Sequence, residues 1–325
     1  MHQPWYRHLL PSSGPVSPRG GERKNKNTNN TIGDTPHASM STVKILRDIS
    51  KNETKKHLII QACKHSAIVY VDEYTTPKNN YNSIRSYITK EGAEPIDVAK
   101  VVLYRDKRTL YVAFRGSNSP NDLLNALNNK KYPVKCNGKK NEATNSTDEQ
   151  VVAAVTYCDN SSHFIHRGFY QKYAHIKDVL FAELESICTR SEASTSGEDP
   201  IDTIVFTGHS AGASQALMAV YDYVENRIER QIYCFPDVCF YGFGAPLSVN
   251  GEFLHYLDGI VKDLHFFSLK NDIVPHLPLH PEFEHHQNII LLEGVSDIPL
   301  WDIPGNHSCI QYYHTLIQTL EAPLQ

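Results

Sequence analysis

The chain has 325 residues, 40% of them hydrophobic and 21% charged, with a formal net charge of -4 and a pI near 6.5. That is enough to bury one large core or two small ones. There is no basic excess to suggest nucleic acid as a partner, and no apolar run approaches the ~20 residues that span a bilayer.

Residues 1–45 are rich in Pro, Gly, Ser, Asn and Lys and have few apolar anchors, which predicts a disordered tail ahead of a domain over 46–325. The N-terminal stretch lacks the apolar segment of a signal peptide, so a cytoplasmic location is the expectation, with Met40 as an alternative start. From Lys55, "KKHLIIQACKHSAIVYVDEY" spaces its apolar residues as a core-packed helix does. "AKVVLYRDKRTLYVAFRGS" predicts a β-hairpin with strands Val101–Tyr104 and Leu110–Phe114 and a turn at Asp106-Lys107. Residues 128–162 are mostly Asn, Lys, Ser and Thr around a short apolar piece and predict a polar surface insertion.

"GFYQKYAHIKDVLFAELESICTR" predicts one long amphipathic helix. A strand, turn and helix follow in "IVFTGHSAGASQALMAV", then a strand in "IYCFPDVCFYGFGAP" and a helix in "FLHYLDGIVKD". Strands in "LHFFSLKND" and "NIILLEG" and a closing helix in "HSCIQYYHTLIQTL" complete the chain. Alternating strands and helices predict an α/β fold with a mostly parallel sheet. The seven cysteines are odd in number, irregularly spaced and free of C-x-x-C, against a zinc ribbon or a thioredoxin-like site. Cys136 and Cys158 bracket the polar stretch and would be placed to bridge only in an oxidising compartment.

The G-x-S-x-G of Gly208–Gly212 falls between a strand and a helix, the setting of a nucleophile elbow. Close chain approach at such a turn leaves no room for Cβ atoms at Gly208 and Gly212. The turn is expected to present Ser210 Oγ above the sheet, at a helix N-terminus that favours developing negative charge. A serine hydroxyl needs a base, usually His, and the base needs an acid to fix its tautomer. In this topology the order is Ser, acid, His. Asp272 stands just past the "LHFFSLKND" strand, whereas Asp258 and Asp263 fall on the wrong edge and Asp297 and Asp302 follow a later strand.

Among the histidines after Asp272, His276 shares its loop, and His285 and His286 sit in a charged stretch that reads as solvated surface. His280 is a further candidate. His307 opens the final helix, where it can reach across the sheet's top, and His314 lies two turns on, where a structural contact is expected. For the oxyanion, Ala211 offers one N–H and Ser117, after the "YVAF" strand, the other; in an ordinary turn Arg115 beside it would be exposed.

Five blocks in order resemble the class 3 lipases, the fungal-lipase-like branch of the α/β-hydrolases: "VAFRGS", "IHRGFYQKY", "VFTGHSAGASQALM", "CFYGFGAP" and "NDIVPHLP". The likeness spans about residues 55–320. It implies an α/β-hydrolase fold, Ser210, Asp272 and His307 as catalytic residues, and an oxyanion hole at Ser117 and Ala211, with the Ser117 hydroxyl also able to face the oxyanion. It implies no metal or cofactor. "HSCIQYYH" is similar to the plant-type ending rather than the fungal one, and only "DLLNAL" is apolar enough for a lid helix. The function implied is hydrolysis of lipid acyl esters, with triacylglycerol or monoacylglycerol as candidate substrates. Transient contact with a lipid surface and no obligate protein partner are expected. The alternatives are a catalytically silent scaffold, as in plant defence regulators that resemble the family, and a phospholipase or acyltransferase with the same triad.

Overall fold

Strand segments such as "TIVFTGH" and "DVCFYGF" are apolar at successive positions, so both faces need covering, and only a sheet sandwiched between helical layers provides that. The structure, a computed structural model, describes residues 40–88, 96–117, 131–134, 163–192, 199–232, 236–279, 283–285, 289–294 and 302–321. Its strands are β1 (Tyr81–Ile88), β2 (Ile96–Asp106), β3 (Thr109–Phe114), β4 (Lys131–Val134), β5 (His163–His166), β6 (Thr203–His209), β7 (Asp237–Phe243), β8 (Asp263–Leu269) and β9 (Ile290–Leu292). Its helices are α1 (Met40–Lys51), α2 (Glu53–Ile68), α3 (Arg167–Ala174), α4 (Lys177–Glu192), α5 (Ala211–Glu229), α6 (Gly251–Asp258), α7 (Ile303–Asn306) and α8 (Cys309–Glu321).

A seven-stranded sheet runs β1-β2-β3-β6-β7-β8-β9. β1 to β3 form an antiparallel meander, and from β3 onward every neighbour is parallel. β4 and β5 form a separate antiparallel ribbon. Alternation along the strands sorts the core into two layers. Ile204, Phe206, Phe240 and Phe266 pack on the side of α3 to α6, and Val205, Tyr241, Phe243 and Phe267 pack under α1, α2 and α8. The parallel half therefore ends all its strands on one edge, where the turns after β3, β6, β7 and β8 converge.

The hairpin forms where expected, with Asp106 opposite Thr109 and Lys107 in the left-handed region at φ 52°. Boundaries differ in several places. α1 begins at Met40, inside the stretch expected to be tail, because Thr42 and Ile49 are buried there. The single long helix expected after Gly168 is two, α3 and α4, separated at His175-Ile176. Phe169, Tyr173, Ile176, Leu180 and Leu184 are all buried across that break, so the apolar stripe carries no mark of it. Within the polar stretch 128–162 lies β4; the rest of it, and the tail to residue 39, fall outside the described residues. Among the described residues no helix is long and apolar enough to cross a membrane.

At the opposite edge Asp263 fastens α2 to the start of β8. Lys55 Nζ donates to it at 2.5 Å and Tyr241 Oη at 3.2 Å. Burial would raise its carboxyl, but the Lys55 hydrogen bond and charge, with His265 Nε2 3.6 Å away, outweigh that and hold it down at about 2. A folded value below the unfolded one means that the stabilisation is complete above about pH 4 and disappears as pH falls through about 2. With solvent screening allowed for, it amounts to ~1–2 kcal/mol. Asp263→Asn is expected to lower the unfolding free energy measured in urea at pH 7 by that amount and to leave it nearly unchanged near pH 2. An equal loss at both pH values would contradict the assignment.

Candidate active site

β6 runs into α5 through Ser210, whose φ of 58° and ψ of -135° lie outside the regions an L-residue prefers. Such a conformation costs ~1–3 kcal/mol and needs surroundings that enforce it. Here Ser210 N–H donates to Phe243 O at 2.9 Å, tying the turn to the end of β7. A Cβ on Gly208 would come within 2.6 Å of Ala213 N, and one on Gly212 within 2.8 Å of Gly116 N. Glycine at both positions lets β6, α5 and the end of β3 close on one another. The Ser210 side chain makes no capping bond, so its hydroxyl is not consumed by α5.

Asp272 and His307 come together although 35 residues separate them, with His307 Nδ1 2.7 Å from Asp272 Oδ2. Two further donors hold the carboxylate: Val274 N–H on Oδ1 at 2.9 Å and Tyr312 O–H on Oδ2 at 2.6 Å. Tyr312 Oη in turn accepts Leu269 N–H at 3.1 Å. Burial, with the Asp272 carboxylate beside it, pushes the Tyr312 phenol well above its ordinary range, so it stays a donor. The carboxylate bond fixes the Nδ1–H tautomer of His307 and leaves Nε2 with a lone pair. Nε2 is buried and has no hydrogen-bond partner among the described residues.

Two contacts bring this pair to the serine turn. The ring of His209, the residue before Ser210, lies 4.5 Å from the His307 ring, centroid to centroid. Gly244 follows Phe243 and, at φ 59°, passes so close that a Cβ there would be 3.1 Å from both Asp272 Oδ2 and His307 Cε1. Burial, and then the neighbouring His307, depress His209 well below the ordinary histidine range, so the second ring stays neutral.

Ser117 stands just beyond β3, and its buried Oγ also lacks a partner among the described residues. Ala211 opens α5, a 19-residue helix, where N–H groups have no partner within the helix. Gln215 Nε2 spans the two, donating to Arg115 O at 3.3 Å and Ala211 O at 3.2 Å. Ser210, Asp272, His307 and Ser117 are 3%, 2%, 8% and 7% exposed. The open presentation of Ser210 expected from the sequence is therefore not found. The hydroxyl sits in a nearly dry site, where fixed dipoles act more strongly than in water. Arg115, which an ordinary turn would expose, is buried too.

The other candidates lie elsewhere. His276 is exposed on the Asp272 loop, and His314 is exposed on α8 with its ring 6.0 Å from that of Tyr313. His285 is not solvated surface: its Nε2 bonds Pro275 O, and burial lowers it to about 4. Asp302 caps α7 by accepting from Gly305 N–H at 3.1 Å. His280, His286 and Asp297 lie outside the described residues, as do Cys136 and Cys158. Cys63, Cys188, Cys239 and Cys309 are buried, and burial raises the Cys63 thiol well above the usual thiol range, against a nucleophilic role. Among the described residues no group of three or more His, Cys, Asp or Glu side chains could hold a metal ion. Sequence reading missed Tyr312 and Gln215. The signal for Tyr312 was its place on the helix that follows His307, and Gln215 carried none.

Residues 111–282 match the family described as Lipase (class 3). The lipases of Rhizopus niveus and Rhizopus oryzae are each 26% identical over 196 residues, which cover 58% of this chain and 41% of theirs. The chain thus spans about two-fifths of the length of these curated relatives. Protein EDS1B of Arabidopsis thaliana is 30% identical over 124 residues, 38% of this chain and 20% of that protein. Among solved structures, a fungal lipase superposes with a TM-score of 0.53 at 15% identity, covering 82% of this chain and 98% of its own. A triacylglycerol lipase whose catalytic centre is formed by a serine protease triad gives 0.51 at 17% identity, covering 80% and 93%. These likenesses establish the α/β-hydrolase fold.

Tyr312→Phe removes one donor from a buried carboxylate and the acceptor of Leu269 N–H. It is expected to cost ~1–3 kcal/mol in urea unfolding. A loss below about 0.5 kcal/mol would mean that the hydroxyl does not hold Asp272.

Proposed function

The chain belongs to the class 3 lipase family, and from that premise we propose that it is a serine-dependent carboxylic ester hydrolase acting on lipid acyl esters. The observation that carries the proposal is a strained Ser210 beside a buried Asp272–His307 pair, with His307 Nε2 and Ser117 Oγ left without hydrogen-bond partners among the described residues. Buried polar atoms are seldom left so, and here both fit the needs of an acyl transfer.

In the proposed reaction His307 Nε2 takes the Ser210 proton as Oγ attacks the ester carbonyl carbon. The carbonyl oxygen becomes an oxyanion, met by the N–H of Ala211 and by Ser117. Each such donor contributes about 2.7–4 kcal/mol in well-studied hydrolases. Asp272 keeps His307 in the Nδ1–H tautomer and stabilises the imidazolium. The alcohol leaves with the proton from Nε2. Water, deprotonated by the same nitrogen, then releases the carboxylic acid and restores the serine. No step calls for a metal or cofactor.

A lipid substrate is favoured over a small soluble ester by the exposed apolar side chains around the pair. Ile273 follows Asp272 directly, Leu279 is 84% exposed in the same loop, and Ile303 and Ile310 flank His307. Such side chains on the edge that carries the site suit contact with a lipid surface. Triacylglycerol and monoacylglycerol are the candidate substrates, and hydrolysis of a mixed lipid panel would separate them from phospholipids.

Ser210→Ala is expected to abolish turnover of a short nitrophenyl ester with an unchanged melting temperature; retained turnover would reject the nucleophile. Asp272→Asn is expected to lower kcat by ~10⁴-fold, as tautomer loss does in other triads. Leu279→Asp is expected to reduce hydrolysis of emulsified lipid at least ~10-fold while sparing the soluble ester, since a buried chain of this size is worth ~1.5–3 kcal/mol. Equal effects on both substrates would remove the argument for a lipid surface.

A further inference from the structure

One hydroxyl joins the residue before the serine to the residue before the oxyanion donor. Tyr70 lies just past the end of α2. Gly116 N–H donates to its Oη at 3.1 Å, and the same oxygen is 3.2 Å from His209 Nδ1. Gly116 precedes Ser117, and His209 precedes Ser210. The bond takes the Gly116 N–H away from any substrate oxygen, leaving Ser117 and Ala211 as the donors. His209 is kept neutral by burial, so its Nδ1 can accept the phenol proton.

The Tyr70 segment is itself held. Lys100 on β2 is fully buried, and its three ammonium protons meet three acceptors. These are Val69 O at 2.8 Å, Thr75 Oγ1 at 2.7 Å and Asp72 Oδ1 at 3.0 Å, residues on either side of Tyr70. The backbone of Lys100 completes the frame, its carbonyl accepting Arg115 N–H at 2.9 Å. One β2 residue thus fixes both the loop that carries Tyr70 and the turn that Tyr70 reaches. Nothing in an elbow or a triad requires this arrangement.

The geometry points to Tyr70 as a positioning residue that clasps the oxyanion turn to the nucleophile elbow. It sets the distance between Ser117 and Ser210 without touching the substrate. This rests on the hydrolase reading above. Without the hydroxyl, Gly116 N–H and His209 Nδ1 lose their common partner, and Ser117 is free to drift from the position where the oxyanion forms. A loss of this kind falls on the transition state and not on ground-state binding, so kcat should drop while KM holds.

The test is a double-mutant cycle of Tyr70→Phe and Ser117→Ala on the full chain, with a soluble nitrophenyl ester and rates normalised to titrated active serine. Tyr70→Phe alone is expected to lower kcat about tenfold with KM unchanged. It should weaken binding of a trifluoromethyl ketone, which forms the oxyanion adduct, by the same factor as kcat/KM. In the Ser117→Ala background, where only the backbone N–H of residue 117 is left to be placed, the further loss from Tyr70→Phe should shrink to less than about threefold. Normalisation separates a purely structural role, which would reduce the number of titratable serines but not the rate of each. That result, or two factors that multiply independently, overturns the clasp while leaving the hydrolase reading intact. A wild-type chain that neither turns over the ester nor binds the ketone overturns both.

Discussion

A backbone forced to φ 58° at Ser210 is held by the hydrogen bond from its N–H to the end of β7 and by glycines that let three segments close on one another. Everything around the site is arranged relative to that turn. Phe243 O receives the Ser210 N–H, and the next residue, Gly244, lies against Asp272 and His307. On the other side Gly212 packs against the Arg115-Gly116 backbone, bringing Ser117 to the start of α5. Strain at one residue is affordable only because β3, β6 and β7 lie side by side and parallel in the sheet, so their ends arrive together.

Polar bonds inside this packing do what apolar contact cannot, which is to specify direction. Asp272 receives three donors from three different segments, and the tyrosine among them belongs to the closing helix. Gln215 spans from α5 to the turn after β3. Buried bonds of this type are costly to break, since the partner left behind has no water to turn to. They keep an imidazole and a hydroxyl in register on separate loops. The same dryness that makes them rigid strengthens every dipole aimed at a developing charge.

Much of this was legible in the residues. The elbow was readable because its glycines are a steric requirement visible as letters, and Asp272 because it follows an apolar strand at a Val-Pro stop. His307 was expected to open the last helix but caps the C-terminal end of α7, two residues before α8, and its bond to Asp272 spans 35 residues and has no local signature. Tyr70 and His209 are 139 residues apart, and Tyr312 and Asp272 are 40 apart. Such pairs are products of the topology. Burial was the harder quantity: Arg115 opens a polar turn and His285 sits in a charged stretch, yet the fold buries the first and half-buries the second. The break between α3 and α4 was invisible for the opposite reason, because the apolar stripe runs straight through it.

The proposed chemistry requires one hydroxyl to be a nucleophile. The most direct measurement is peptide mapping by mass spectrometry after brief treatment of the native chain with a fluorophosphonate. One covalent adduct is expected, on Ser210, absent when the chain is unfolded in urea before treatment. An adduct on another residue, or none on a folded chain, would contradict the account.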